Sequence, residues 1–175
     1  MKLALAGLVA AALTLGATAS EATSITSTYT SLGGTSWLAD FTVTNDGTPA
    51  SFAGFTIDFP NATNLVLVRS PATWDSLVVQ PDASIPDAGF LDSFAILASN
   101  YLALGQSLGG FAVSFNFASG TPGALPFTVS NANFTAIGGG FTTAVTPIPE
   151  PETVLLMGLG LAALGLRARR KEATA

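Results

Sequence analysis

The sequence predicts an all-β domain, an antiparallel two-layer β-sandwich of about eight strands, held between an N-terminal signal helix and a C-terminal short transmembrane helix. Three observations predict it. Short runs alternate apolar and polar residues with period two, and Pro, Gly or Asn bounds each run. From Ile25 to Val145 the chain is rich in Thr, Ser, Phe, Val and Gly, with almost none of the Glu, Lys and Arg that fill exposed helix faces. The ends differ in kind, being apolar stretches flanked by basic residues. This division gives a signal peptide at 1–19, the sandwich at 20–146, a proline-containing linker at 147–152, a membrane helix at 153–166 and a basic tail at 167–175.

At the front, Lys2 precedes an apolar run from Leu3 to Leu15 and the small-residue triplet Ala17-Thr18-Ala19. The lysine stays cytoplasmic, the run enters the membrane as a helix, and small side chains fit the peptidase. Cleavage is expected between Ala19 and Ser20, with Ala22 as the second choice. A buried N-terminal helix fits less well, because the run is apolar on every face rather than along one stripe.

In the sandwich, Trp37, Ala39, Phe41 and Val43 share one face of a strand, opposed by Asp40, Thr42 and Thr44. Asn45-Asp46-Gly47 supplies a turn, since these residues tolerate positive φ. Phe55, Ile57 and Phe59 repeat the pattern against Thr56 and Asp58, and Pro60-Asn61 ends it. Phe111, Val113, Phe115 and Phe117 give the clearest run, opposed by Ala112, Ser114 and Asn116. Less regular strands are expected over 25–30, 65–69, 73–79, 127–131 and 141–145. Residues 90–105 read equally as strand and loop or as a short helix. The phenylalanine stripes are core, each ring contributing about 2–3 kcal/mol by burial.

Charge excludes one class of partner. Between Ser20 and Pro149 stand eight carboxylates and one basic residue, Arg69, a net of −7. Such a domain repels phosphate backbones, so nucleic acid is excluded. The chain has no cysteine and no histidine, which removes disulfides, thiol nucleophiles, imidazole bases and nearly every zinc or copper site. A Ser-Lys dyad would need Lys2 or Lys171, and nothing singles out one carboxylate pair for glycoside cleavage. The reading is therefore non-enzymatic, with no cofactor. Asp46, Asp82, Asp87 and Asp92 lie in or near loops that could offer oxygens to calcium, but none forms the EF-hand spacing. Trp74, after the proline break in "SPATWDSL", is either core or a ring face for stacking on a glycan. Asn61-Ala62-Thr63 and Asn133-Phe134-Thr135 fit the N-glycosylation pattern, which matters only in a host with that machinery. Leu125-Pro126-Phe127-Thr128 has Val129 where a sortase signal would need glycine, and reads as the start of a strand.

The back end carries the strongest signal. Thr153 to Leu166 is an uncharged stretch of fourteen residues. As a helix it would be about 21 Å long, against a hydrocarbon thickness of roughly 30 Å. It has no polar face, and arginine stems at its inner end can snorkel to lengthen the span. Arg167, Arg169, Arg170 and Lys171 then fix the orientation, with the basic end cytoplasmic and the domain outside. Pro149 and Pro151 around Glu150 forbid helix and favour an extended strand, the form in which peptidases and transpeptidases take a chain.

These parts, in this order and behind a signal peptide, resemble the PEP-CTERM sorting signal of Gram-negative exported proteins. The resemblance implies recognition by exosortase, a membrane transpeptidase-like enzyme, through Pro149, Glu150 and Pro151. Arg167, Arg169, Arg170 and Lys171 would form the retention cluster. It implies an inner-membrane-anchored precursor handled by signal peptidase, transiently held in the membrane, then delivered to the cell envelope, the surface or the extracellular matrix. Exopolysaccharide is thus a candidate partner. "ADFTVTNDG", "FAGFTIDF" and "LGGFAVSFNF" also resemble a body type common among such proteins, which supports a β-sandwich without an activity. Two other readings stay open: a carbohydrate-binding module using Trp74, and a permanently C-terminally anchored surface protein.

Overall fold

The computed structural model describes residues 23–145, apart from 48, 49, 83, 85 and 86. The expected signal peptide, linker, membrane helix and basic tail lie outside the described residues.

Strands β1 (Ser24–Gly33) and β2 (Ser36–Thr44) form a hairpin whose turn holds Gly33 and Gly34 at φ +102° and +59°, a conformation that favours glycine. A two-residue strand β3 (Ser51–Phe52) precedes β4 (Gly54–Phe59), which turns at Pro60-Asn61 into β5 (Ala62–Arg69). Then come β6 (Trp74–Val79) and β7 (Gly89–Ala95), a single 3₁₀ turn at Ala98–Asn100 and the short β8 (Leu102–Ala103). The long β9 (Ser107–Phe117) is followed by β10 (Pro126–Ser130), β11 (Ala136–Phe141) and β12 (Thr143–Val145).

These strands form two five-stranded sheets, ordered β12-β1-β2-β9-β5 and β11-β10-β4-β7-β6, with β3 and β8 paired as a small clip. The fold is all-β. The sheets face each other across interlocked rings: Phe55 against Phe111, Phe59 against Phe115 and Phe41 against Phe59, edge to face at centroid distances of 4.9, 5.1 and 6.0 Å. Each such pair adds about 0.5–1.5 kcal/mol beyond the area it buries. The alternation expected for β2, β4 and β9 is present, with Ala39, Phe41, Val43, Phe55, Ile57, Phe59, Phe111, Val113 and Phe115 all buried, while Trp37 and Phe117 toward the strand ends are only half-buried.

Ala112 is also fully buried, although it points outward. It is the register partner of both Asp40 on β2 and Arg69 on β5, and the Arg69–Asp40 ion pair spans the β9 strand between them. A small side chain lets the guanidinium stem lie across it. At the far side of β5, bulged away from β9 between Thr63 and Val66, the Leu65 main chain is completed by the Gln80 amide. Gln80 Nε2 donates to the Leu65 carbonyl at 2.5 Å, and the Leu65 N–H donates to Gln80 Oε1 at 2.9 Å. One side chain thus imitates a neighbouring strand.

Two expectations need correction, the all-antiparallel pairing and the count of about eight strands, since twelve are present among the described residues. The sheets are antiparallel except where β12 joins β1 in parallel, with Thr26 opposite Thr143 and Thr28 opposite Val145. The chain leaves the second sheet at Phe141, crosses at Thr142 and joins the first sheet at Thr143, so β12 meets β1 running the same way. The open segment 90–105 is a strand, a 3₁₀ turn and a second short strand. Strand β11 did not read as a strand because three of its six residues are glycine, which carry no hydrophobic alternation.

Candidate functional site

The crossing residue sets the course of β12. Thr142 is buried, donates its N–H to the Leu125 carbonyl at 2.8 Å and accepts the Leu125 N–H on Oγ1 at 2.9 Å. Ser27 Oγ donates to the same Oγ1 at 3.3 Å, tying the crossing to β1. Nearby, the Tyr29 hydroxyl donates to the Gly123 carbonyl at 2.7 Å, and burial raises its pKa above the ordinary phenol value. Because β12 runs parallel to β1, the chain enters the sandwich at one pole and heads toward the other at Val145. Pro149, Glu150 and Pro151, the basic cluster Arg167, Arg169, Arg170 and Lys171, and the peptidase site Ala17, Ala19 and Ser20 lie outside the described residues. Among the described residues no helix is long and apolar enough to cross a membrane.

Trp74 occupies the core. It is 4 % exposed, packed against Phe52, Phe55 and Phe111 at centroid distances of 6.4, 5.7 and 5.7 Å. Its indole has no free face for a sugar, so of the two readings of Trp74 the structure favours the core one over the glycan contact. The alternation of β6 explains the burial: Trp74 points inward while its neighbours Asp75, Leu77 and Val79 are exposed.

The loop aspartates do different jobs. Asp82 accepts the Ser84 hydroxyl at 2.6 Å and the Ser84 N–H at 2.8 Å, which hold its carboxyl below the ordinary value. Asp87 forms an isolated bridge with Asp82. Asp58, on β4, has its pKa raised by burial first and by the Asp87 charge second. Asp46 accepts the Ser24 hydroxyl, and Asp92 accepts Thr56 Oγ1 at 2.8 Å. The four aspartates considered for calcium are therefore not gathered at one point: among the described residues no group of three or more acidic side chains could hold a metal ion.

A different surface draws aromatic and acidic groups together. On the outer face of the second sheet, an open cleft of about 360 Å³ lies between Asp75, Leu77, Asp92, Phe94, Ile96 and Phe134. Phe94 on β7 lies over Gly54 on β4, where a Cβ would meet the ring at 2.4 Å. Phe134, in the turn between β10 and β11, stacks on Phe94 with centroids 4.5 Å apart and planes at 29°. The turn is built by Asn131. Its Oδ1 accepts from the Asn133 and Thr135 N–H groups at 2.9 and 3.1 Å, and its carbonyl accepts from the Phe134 N–H at 3.0 Å. Phe134 is 74 % exposed and stands at φ +58°, a left-handed conformation costing a bulky residue about 1–3 kcal/mol. In the sequence this residue stands out only inside a glycosylation pattern. An aromatic among turn-forming asparagines was the available signal.

The described residues thus define an all-β sandwich of two facing five-stranded sheets. The PEP-CTERM protein-sorting motif is found at residues 147–171, beginning two residues after the end of β12. No curated protein matches the chain. Among solved structures, an uncharacterized protein from Nocardia farcinica with an immunoglobulin-like fold is similar, at TM-score 0.50 and 18 % identity over 65 % of this chain and 80 % of that one. The chitin-binding domain of Chi18aC from Streptomyces coelicolor aligns at TM-score 0.38 and 19 % identity, covering 73 % of this chain and 97 % of that one. A non-cellulosomal cohesin from Archaeoglobus fulgidus aligns at TM-score 0.37 and 12 % identity, covering 70 % and 91 %.

Proposed function

We propose that this chain is an exosortase substrate. Its sandwich is exported, anchored for a time by the C-terminal helix, released by processing near Pro149-Glu150-Pro151 and placed in the cell envelope or the extracellular matrix as a non-catalytic structural or interaction protein. The motif at 147–171, set directly behind β12, carries this reading. From Val145 to Pro149 the chain can span at most about 14 Å, so the processing enzyme must work close to the sandwich. Strand β12 suits such a position: it is three residues long, sits at a sheet edge and has all three side chains exposed. Peeling it from β1 would lengthen the tether by about 10 Å without opening the core.

Association with exopolysaccharide belongs to the same proposal, since a matrix protein without catalytic groups acts by what it holds. The experiment is a triple change, Pro149→Ala with Glu150→Ala and Pro151→Ala, in the producing cell. The variant should accumulate at precursor mass in the membrane fraction while the surface fraction empties. Unchanged delivery of the triple variant would overturn exosortase processing through this motif.

A further inference from the structure

We propose that the cleft between Phe134, Phe94, Leu77, Asp75 and Asp92 is a binding site for a neutral polysaccharide. This deepens the surface-protein reading, and rests on it only for where such a glycan would be met. Phe134 carries the inference. Its side chain is 74 % exposed, so it adds little to the core, yet it holds a backbone conformation that glycine would adopt freely. The strain of that conformation offsets the gain from its stack on Phe94, so folding gives little net reason for a phenylalanine there. The ring is fixed before any ligand arrives, by the Asn131 turn below it and by the stack on Phe94, which Gly54 seats against the sheet. A preordered flat apolar surface beside hydrogen-bonding groups limits the ordering cost of binding.

The surrounding chemistry selects the ligand. A pyranose with axial hydrogens offers one apolar face to a phenyl ring and a rim of hydroxyl donors. The cleft supplies acceptors at its rim in Asp75 and Asp92, and Asp92 already receives a hydroxyl, from Thr56. Thr128 and Ser130 of β10 are the register partners of Thr56 and Gly54 on β4, so the adjoining face is lined with hydroxyls that both donate and accept. No basic side chain lines the cleft, and the domain's net charge of −7 repels anionic polymers. Its volume of about 360 Å³ lies in the lower part of the range for small-ligand clefts, roughly 300–1,000 Å³, enough for a short stretch of a sugar chain.

The test is affinity electrophoresis of the full-length chain in a detergent without a sugar head group. Hydroxyethyl cellulose and dextran serve as neutral probes, alginate as an anionic one and polylysine as a basic one. At least one neutral glycan should retard the native chain, and alginate should not. Phe134→Gly should weaken that retardation about tenfold, the scale of one aromatic contact, while the melting temperature stays level or rises; Phe134→Trp should preserve it. If Phe134→Gly instead lowers the melting temperature, Asp75→Ala, at an exposed position, carries the same expected loss. No retardation by either neutral glycan overturns the site, as does equal retardation of both variants and the native chain. Retardation by polylysine alone, abolished by salt, overturns it in favour of a basic protein partner. None of these results touches the mass of the mature C-terminus, so the site and the sorting reading fail separately.

Discussion

Single residues divide into those that hold the fold and those that the fold leaves free. Trp74 belongs to the first group, and Trp74→Ala should cost about 3–5 kcal/mol, a large share of the stability of a small domain. Urea unfolding checks this. A loss below about 1 kcal/mol would contradict the packing described here. Asp58 makes a prediction of opposite sign. Its carboxyl is held above the ordinary aspartate value by burial and by Asp87, so the folded state binds its proton more tightly than the unfolded chain does. Its contribution therefore falls as pH rises from the ordinary value, about 3.9, through its raised one. Asp58→Asn should stabilise the protein at pH 7, with the gain shrinking as pH falls below the carboxylate range, as followed by thermal unfolding across pH. Asp82 works the other way: its Ser84 bonds favour the charged form, and that support is lost on acidification.

Among the elements, edges matter most, because sheet edges are where pairing groups must be occupied or left to solvent. Edge strand β5 is closed at Leu65 by the Gln80 amide. Gln80→Ala should cost about 1–2 kcal/mol and speed hydrogen exchange at the Leu65 amide, leaving the amides of β2 unchanged. Unaltered exchange at Leu65 would show that the clamp is dispensable. Elements with regular alternation were legible in the sequence: β4, the centre of β9 and β2 from Ala39 onward bury the residues that period two assigns inward, and Trp37 near the start of β2 is half-buried. Those that escaped lack a pattern to read. β3 and β8 are two residues each, β11 is half glycine, and Ala112 is buried by an ion pair formed across strands distant in sequence. Trp74 could not be placed because its strand starts immediately after a turn, with no preceding alternation to give its face. The Phe134 cleft was not legible either, since its lining comes from β6, β7 and the β10–β11 turn.

For the whole molecule, the first and last strands of the described residues run parallel, so the chain enters the sandwich at one pole and leaves toward the other. The sorting motif follows within two residues of the last strand. That arrangement suits a domain presented end-on from a membrane and then released, with the outer face bearing Phe134 clear of β1 and β12. The motif was readable because its logic is one-dimensional: prolines around a glutamate, an uncharged stretch, a basic end. The central claim is that the tail is an address removed on delivery, and the most direct measurement is the intact mass of the protein recovered from the cell surface. The account predicts a species ending near Pro149-Glu150-Pro151, without the peptide from Thr153 onward. A surface species that still carries Thr153 through Lys171 would contradict it and make the tail a permanent anchor.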